Sequence, residues 1–142
     1  MSFPPVPWAT PTLLLLSIAI AAVLVYAPYP LVAYGRFRLG FQAIATPRAF
    51  NDQLPGFSQR ANWAHQNAFE TFTIYTAAAL MAYVVGVNSP AAGWAAIAFM
   101  VARTLYPIFY IANIPLGRSL SFGIGTASTV TLFILSLTHI TR

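Results

Sequence analysis

The sequence predicts an all-α integral membrane protein, a four-transmembrane-helix bundle with both termini on the non-cytoplasmic side. Three observations carry that reading. Hydrophobic residues fill 58% of the 142 positions and charged residues only 6%, against roughly 25% charged in soluble globular chains. Four apolar stretches, at about 12–34, 61–85, 91–113 and 118–139, are each long enough to cross a ~30 Å hydrocarbon core at about 1.5 Å per helical residue. The arginines gather on one side of the resulting topology.

Taken in order, residues 1–142 read as a single membrane domain. The first eleven are proline-rich and uncharged. The apolar run from Thr12 to about Tyr34 has no Lys or Arg before it and no small-x-small cleavage site after it, which favours a retained span over a cleaved leader. Pro28 and Pro30 should kink or fray its end. From 35 to 60 the hydrophobicity drops, and Arg36, Arg38, Arg48 and Asp52 appear among Gly40, Pro47, Pro55 and Gly56, the pattern of one sizeable loop. Its Phe37, Leu39, Phe41 and Phe50 suit it to lie against the membrane or cap the bundle.

The second span ends in Gly86-Val87-Asn88-Ser89-Pro90, a short turn that forces the third span to pack antiparallel to it. Ile114-Pro115-Leu116-Gly117 separates the third span from the fourth. Small residues recur every fourth position as Gly117, Ser121, Gly125 and Thr129, and as Ala78, Ala82 and Gly86, spacings that allow close helix approach in lipid.

The net charge of +5 comes from seven arginines against Asp52 and Glu70. The long loop holds Arg36, Arg38, Arg48 and Arg60, the last turn adds Arg118, and the opposite side has only Arg142. The positive-inside rule therefore puts the loop in the cytoplasm, as for a bacterial inner membrane or its equivalent. With no basic patch on a soluble domain, the arginines read as topology signals and anion ligands, with no nucleic-acid partner. Cysteine is absent, so thiol chemistry has to come from a bound substrate.

Polar residues inside the spans are costly in lipid and mark a site. At 100° per residue, Arg60, Trp63, Asn67, Glu70 and Thr71 share one side of the second span, with Asn62, His65, Phe69 and Phe72 on the other. The third span has a stripe of its own, Arg103, Tyr106 and Tyr110, edged by Asn113. Counted from the cytoplasmic ends, Glu70 and Arg103 both lie ~15 Å deep, so the expected contact is a Glu70–Arg103 ion pair, within one subunit or across an interface, with Asn67 near Tyr106. An ion pair that only locks the bundle is the competing account. His65 has no second His, Cys or carboxylate at ligand spacing on its face, so a hydrogen-bonded histidine is expected there and no metal site.

The segments Ala-His-Gln-Asn-x-x-Glu from Ala64 to Glu70, Arg-x-x-Tyr-x-x-x-Tyr from Arg103 to Tyr110, and Arg118-Ser119 together resemble the MAPEG family, the membrane-associated proteins in eicosanoid and glutathione metabolism. The resemblance spans essentially the whole chain. It implies a homotrimer of four-helix subunits with glutathione bound between neighbours near the cytoplasmic face. By the match, Asn67, Glu70, Arg103, Tyr106 and Tyr110 look like glutathione contacts, joined by Arg60, Ser119 and, in a looser register, Arg36 and Arg38. Arg118 is similar to the family arginine that supports the glutathione thiolate.

Such a protein would be a glutathione transferase or peroxidase with a hydrophobic electrophile or lipid hydroperoxide as second substrate. The alternative is a non-catalytic member that binds lipid or acts as a scaffold; a small transporter or channel subunit is a third class. Two departures stand out. Family members usually carry arginine immediately before the Ala-[His/Gln] step, where this chain has Trp63, and Thr71 follows the glutamate where some members have tyrosine.

Overall fold

The computed structural model describes residues 4–141, and all its regular structure among them is helical. Arg142, the one arginine assigned to the far side, lies outside the described residues. The helices are α1 (Thr10–Tyr26), α2 (Tyr29–Leu39), α3 (Phe41–Ala45), a 3-10 helix (Pro47–Gln53), α4 (Gly56–Val84), α5 (Pro90–Ile111) and α6 (Pro115–Ile140). α4 and α5 pack against each other at the centre. Both touch α6, and both touch α1.

Three segments are long and apolar enough to cross a membrane: 10–39 taken as one run, Pro90–Ile111 and Pro115–Ile140. α4 has the length, at 29 residues, but its polar stripe keeps it out of that set. Tryptophan and tyrosine collect at both ends of the bundle. Trp8, Tyr83 and Trp94 mark one end, and Tyr26, Tyr29, Tyr34, Trp63 and Tyr110 the other, the arrangement of interfacial belts.

The expected loop 35–60 is mostly helical. α2 runs on to Leu39, a short helix and a 3-10 helix follow, and α4 starts at Gly56, four residues ahead of Arg60. The fall in hydrophobicity marks a change of surroundings, not the end of a helix, because arginine and glutamine are good helix formers. Pro55, extended at ψ 142°, starts α4 from its N-cap position. The break foreseen at Pro28 is present. Proline lacks an N–H, α1 ends at Tyr26, and α2 begins again at Tyr29.

His65 sits against this break. Its Nδ1 donates to the Val25 carbonyl at 2.7 Å, and its ring lies between those of Tyr26 and Tyr29 at 5.6 and 5.4 Å. The residue ties α4 to the first helix pair, as a hydrogen-bonded histidine.

Both tight turns end their helices in the same way. Gly86, at φ 78°, lets Val87 N donate to Ala82 O and its own N to Tyr83 O. Asn113, at φ 58°, does the same through Ile114 N to Phe109 O and Asn113 N to Tyr110 O. These are Schellman caps, which satisfy the last carbonyls of a helix. Gly86 is therefore a cap and not part of a packing ridge. Gly117 is a packing residue, since a Cβ there would come within 2.8 Å of the Phe109 ring, and Ser121, Gly125 and Thr129 continue the buried row.

The main core lies between α1, α4 and α5. Tyr75 stacks on Phe99 at 3.4 Å and donates to Ser17 Oγ at 2.6 Å, while Ser17 donates to Leu14 O at 2.7 Å. The hydroxyls of Tyr75 and Ser17 thus both have partners.

Candidate functional site

The site is built where α4 and α5 run antiparallel near the end that carries Arg60. Arg60 Nε donates to the Ile111 carbonyl at 2.9 Å, which satisfies an open acceptor at the end of α5 and joins the two helices there. About two turns deeper, Arg103 is buried at 5% exposure. Its Nη1 and Nη2 each donate to Asn67 Oδ1 at 3.2 Å, and its guanidinium carbon lies 4.5 Å from the Tyr106 ring centroid.

The expected Glu70–Arg103 contact is not made within the chain. Among the described residues no carboxylate lies within ion-pairing distance of any arginine, and Arg103 takes Asn67 as its acceptor. The register differs from the expected one: Arg60 meets the Ile111 carbonyl, two residues before Asn113, which moves α5 by about half a turn relative to α4. Arg103 is then shallower than a count from Asn113 suggests, and level with Asn67.

Glu70 is exposed and lines an open cleft with Trp63, Gln66, Asn67 and Tyr110. Asn67 spans the two environments. Its Oδ1 faces the buried guanidinium, which leaves its Nδ2 hydrogens as free donors on the cleft side. At the rim, Trp63 and Tyr110 rings lie 6.4 Å apart, Tyr106 meets Tyr110 edge-on at 5.5 Å, and the Arg118 guanidinium carbon stands 4.7 Å from the Tyr110 ring. Arg118 thus reaches the cleft region from α6 through Tyr110.

The other sequence candidates lie elsewhere in the chain. Ser119 is exposed on α6 and does not line the cleft. Arg38 is exposed on α2. Arg36 donates to Tyr29 Oη at 3.4 Å and to Asn51 Oδ1 at 3.3 Å, and lines a separate groove. Trp63, already on the sequence stripe with Asn67 and Glu70, lines the cleft, and the structure adds Gln66, which is four residues before Glu70 and so on its side of the helix. A family model, that of the MAPEG family, matches residues 13–138. The chain belongs to the MAPEG family.

No curated protein matches the chain. Membership makes it a membrane protein of the MAPEG family, with the motif residues Asn67, Glu70, Arg103, Tyr106 and Tyr110 grouped along one α4–α5 seam. Beside that seam, Thr71 and Ile74 of α4, Phe99 and Arg103 of α5, and Phe122, Gly125, Thr126 and Thr129 of α6 line an apolar pocket. Arg103 forms part of its wall, so the pocket touches the polar seam from behind.

Proposed function

We propose that this MAPEG protein is a membrane glutathione transferase, with glutathione held along the Trp63–Tyr110 cleft. The observation that supports it most is the coupling of Arg103 to Asn67, which presents a fixed amide donor beside the Glu70 carboxylate. Glutathione carries two carboxylates, an ammonium group and peptide amides. Asn67 Nδ2 can donate to a carboxylate or carbonyl, and Glu70 can accept from the ammonium. Arg103 acts as a positioning residue in this account, since it reaches the cleft through Asn67.

Arg118 is the proposed catalytic residue. Free thiols titrate at about 8.5, and lowering that by about two units takes ~2.7 kcal/mol of preferential thiolate stabilisation, which one desolvated arginine hydrogen bond largely supplies. The thiolate sulfur then bonds to an electrophilic carbon as its leaving group departs with the electron pair. A lipid hydroperoxide as acceptor would make the activity a peroxidase. The electrophile enters from the bilayer, and the apolar α4–α6 pocket is a suitable place for part of it.

The account includes α4 as a fourth span, a cytoplasmic active site, and a homotrimer whose neighbouring subunit closes the open side of the cleft. The exposure of Glu70 on a face with no intrachain cover supports that closure. A second reading, a non-catalytic lipid-binding or scaffold member, is favoured by Trp63, which places an indole where relatives commonly have a guanidinium. Ultraviolet difference titration with glutathione in detergent separates the two. Thiolate absorbance that disappears in Arg118→Ala supports the transferase; its absence at millimolar glutathione supports the non-catalytic reading.

A further inference from the structure

An apolar groove of about 310 Å³ runs along the α5–α6 seam and shares no residue with the cleft or with the pocket that Arg103 walls. Trp94, Ala98, Val101 and Leu105 follow one another along one face of α5, and Ser121 and Ile124 of α6 form the other side. Val101 and Ile124 are exposed, while Ala102 and Ser121 are buried on the floor, so small side chains make a channel between large ones. Two of the lining side chains carry a hydrogen-bond donor. Trp94 has its Nε1 committed to the Pro4 carbonyl at 3.0 Å. Ser121, only 4% exposed, makes no side-chain hydrogen bond among the described residues, whereas the buried Ser17, Ser58, Ser128 and Ser136 each donate to a backbone carbonyl. A buried hydroxyl without a partner is costly, and this one lines the groove.

Shape and depth select the occupant. α5 and α6 are both long and apolar enough to cross a membrane, so the groove faces hydrocarbon. From Trp94 to Leu105 it is ~16 Å long at about 1.5 Å per helical residue. Its volume over that length leaves a section of ~20 Å², about a quarter of that of a helix 10 Å across. That is room for one extended hydrocarbon chain and too narrow for a transmembrane helix. Ser121 stands ~9 Å from the Pro115 end of α6, a helix that overhangs a ~30 Å hydrocarbon core by ~4 to 5 Å at each end. The hydroxyl is therefore within about one turn of the edge of the core, the level at which an acyl chain joins its glycerol through an ester.

We propose that this groove binds one acyl chain of a membrane glycerolipid, its ester carbonyl accepting from Ser121 Oγ and its chain lying over Ala102 and Ala98 toward Trp94. The lipid comes from the leaflet on the cleft side, where the Pro115 end of α6 lies. Its occupancy satisfies the Ser121 hydroxyl, covers Val101 and Ile124, and holds α5 against α6. No charged residue lines the groove, so the ester is recognised and the head group is not. The site stands whether or not the protein uses glutathione.

The test uses the full chain in a neutral detergent, titrated with dilauroyl phosphatidylcholine and, separately, with the diether lipid of the same head group and chains, which lacks the ester carbonyls. Bound lipid is counted by native mass spectrometry. The expected result is saturable binding of one ester lipid per chain, about fivefold tighter than the diether, the usual worth of one hydrogen bond. Ser121→Ala should bind both lipids alike, at the diether level. Ala98→Leu, which fills the floor and leaves the hydroxyl in place, should weaken both by about tenfold. Dilauroyl phosphatidylglycerol should bind as tightly as the phosphatidylcholine. Lipid-free helix content and unfolding temperature should match the parent in both variants, so that lost binding is read on folded protein. Equal binding of ester and ether lipids by the parent, an ester preference that persists in Ser121→Ala, unchanged binding in Ala98→Leu, or copies of the chain associating through this face with lipid excluded would each overturn the proposal.

Discussion

Arg103 and Asn67 are joined by two hydrogen bonds to a single oxygen, both at 3.2 Å, and this pair connects the buried interior of the bundle to the open cleft. The guanidinium is a buried cation whose acceptor is neutral. Its removal from water is offset by Asn67 and the Tyr106 face. The pairing leads to separate expectations for structure and for binding.

Asn67→Leu removes the acceptor and strands the guanidinium. The expected loss is ~2 to 3 kcal/mol of stability, the usual range for a buried charge deprived of a hydrogen bond, measured by reversible unfolding in mixed detergent. Asn67→Asp keeps an acceptor for Arg103 but replaces the outward donor with a carboxylate oxygen. It should fold like the parent and bind glutathione at least about tenfold more weakly. Equal glutathione binding by the parent and this variant would show that the amide does not contact the ligand.

Glu70→Gln separates a lock from a ligand. With no arginine paired to it within the subunit, the substitution should change monomer-level stability by less than about 0.5 kcal/mol. Glutathione binding should fall by about tenfold through loss of the ammonium partner. A stability loss of several kcal/mol with unchanged binding would mean that Glu70 is buried against a neighbouring subunit's cation and serves assembly alone.

His65→Ala loses the Val25 carbonyl contact and should cost ~1 to 2 kcal/mol of stability. Because that ring faces α1 and not the cleft, the thiolate signal per folded molecule should remain. Calorimetry and difference spectroscopy on the same sample check both halves.

Trp63→Arg is a gain-of-binding test. Trp63 is 44% exposed, so its replacement leaves the core intact, and a guanidinium beside Glu70 and Tyr110 would add a charge-assisted bond to a ligand carboxylate. Glutathione affinity should rise by about tenfold, as measured by isothermal titration. A fall would indicate that the indole itself contacts the ligand.

Much of this was legible in the sequence because lipid penalises polar groups so heavily. The stripes of α4 and α5, the break at Pro28 and the turn at Ser89-Pro90 all follow from local chemistry. Where segments end was harder to read. Gly56–Arg60 and Gly35–Leu39 looked like loop because they are polar, yet polar residues facing the headgroup layer remain helical when a proline starts the helix and nothing breaks it. The Glu70–Arg103 expectation failed within the subunit for a related reason. The left-handed cap at Asn113 ends α5 earlier than its apolar pattern does, and a shift of about half a turn brings Asn67 and not Glu70 to Arg103. A charge pattern favours a carboxylate partner for arginine, while the helix ends decide which side chain is within reach. The course of 35–60, with Arg36 turned into its own groove, depends on a contact from α2 to Asn51 that no spacing announces.

The central claim is that Arg118, brought to the cleft by Tyr110, stabilises a bound thiolate. Its most direct test is the absorbance difference near the thiolate band when glutathione is added to the detergent-solubilised protein at neutral pH. The account predicts a saturable signal in the parent, its loss in Arg118→Ala with glutathione still bound by calorimetry, and partial recovery in Arg118→Lys. A thiolate signal of full size in Arg118→Ala would contradict it.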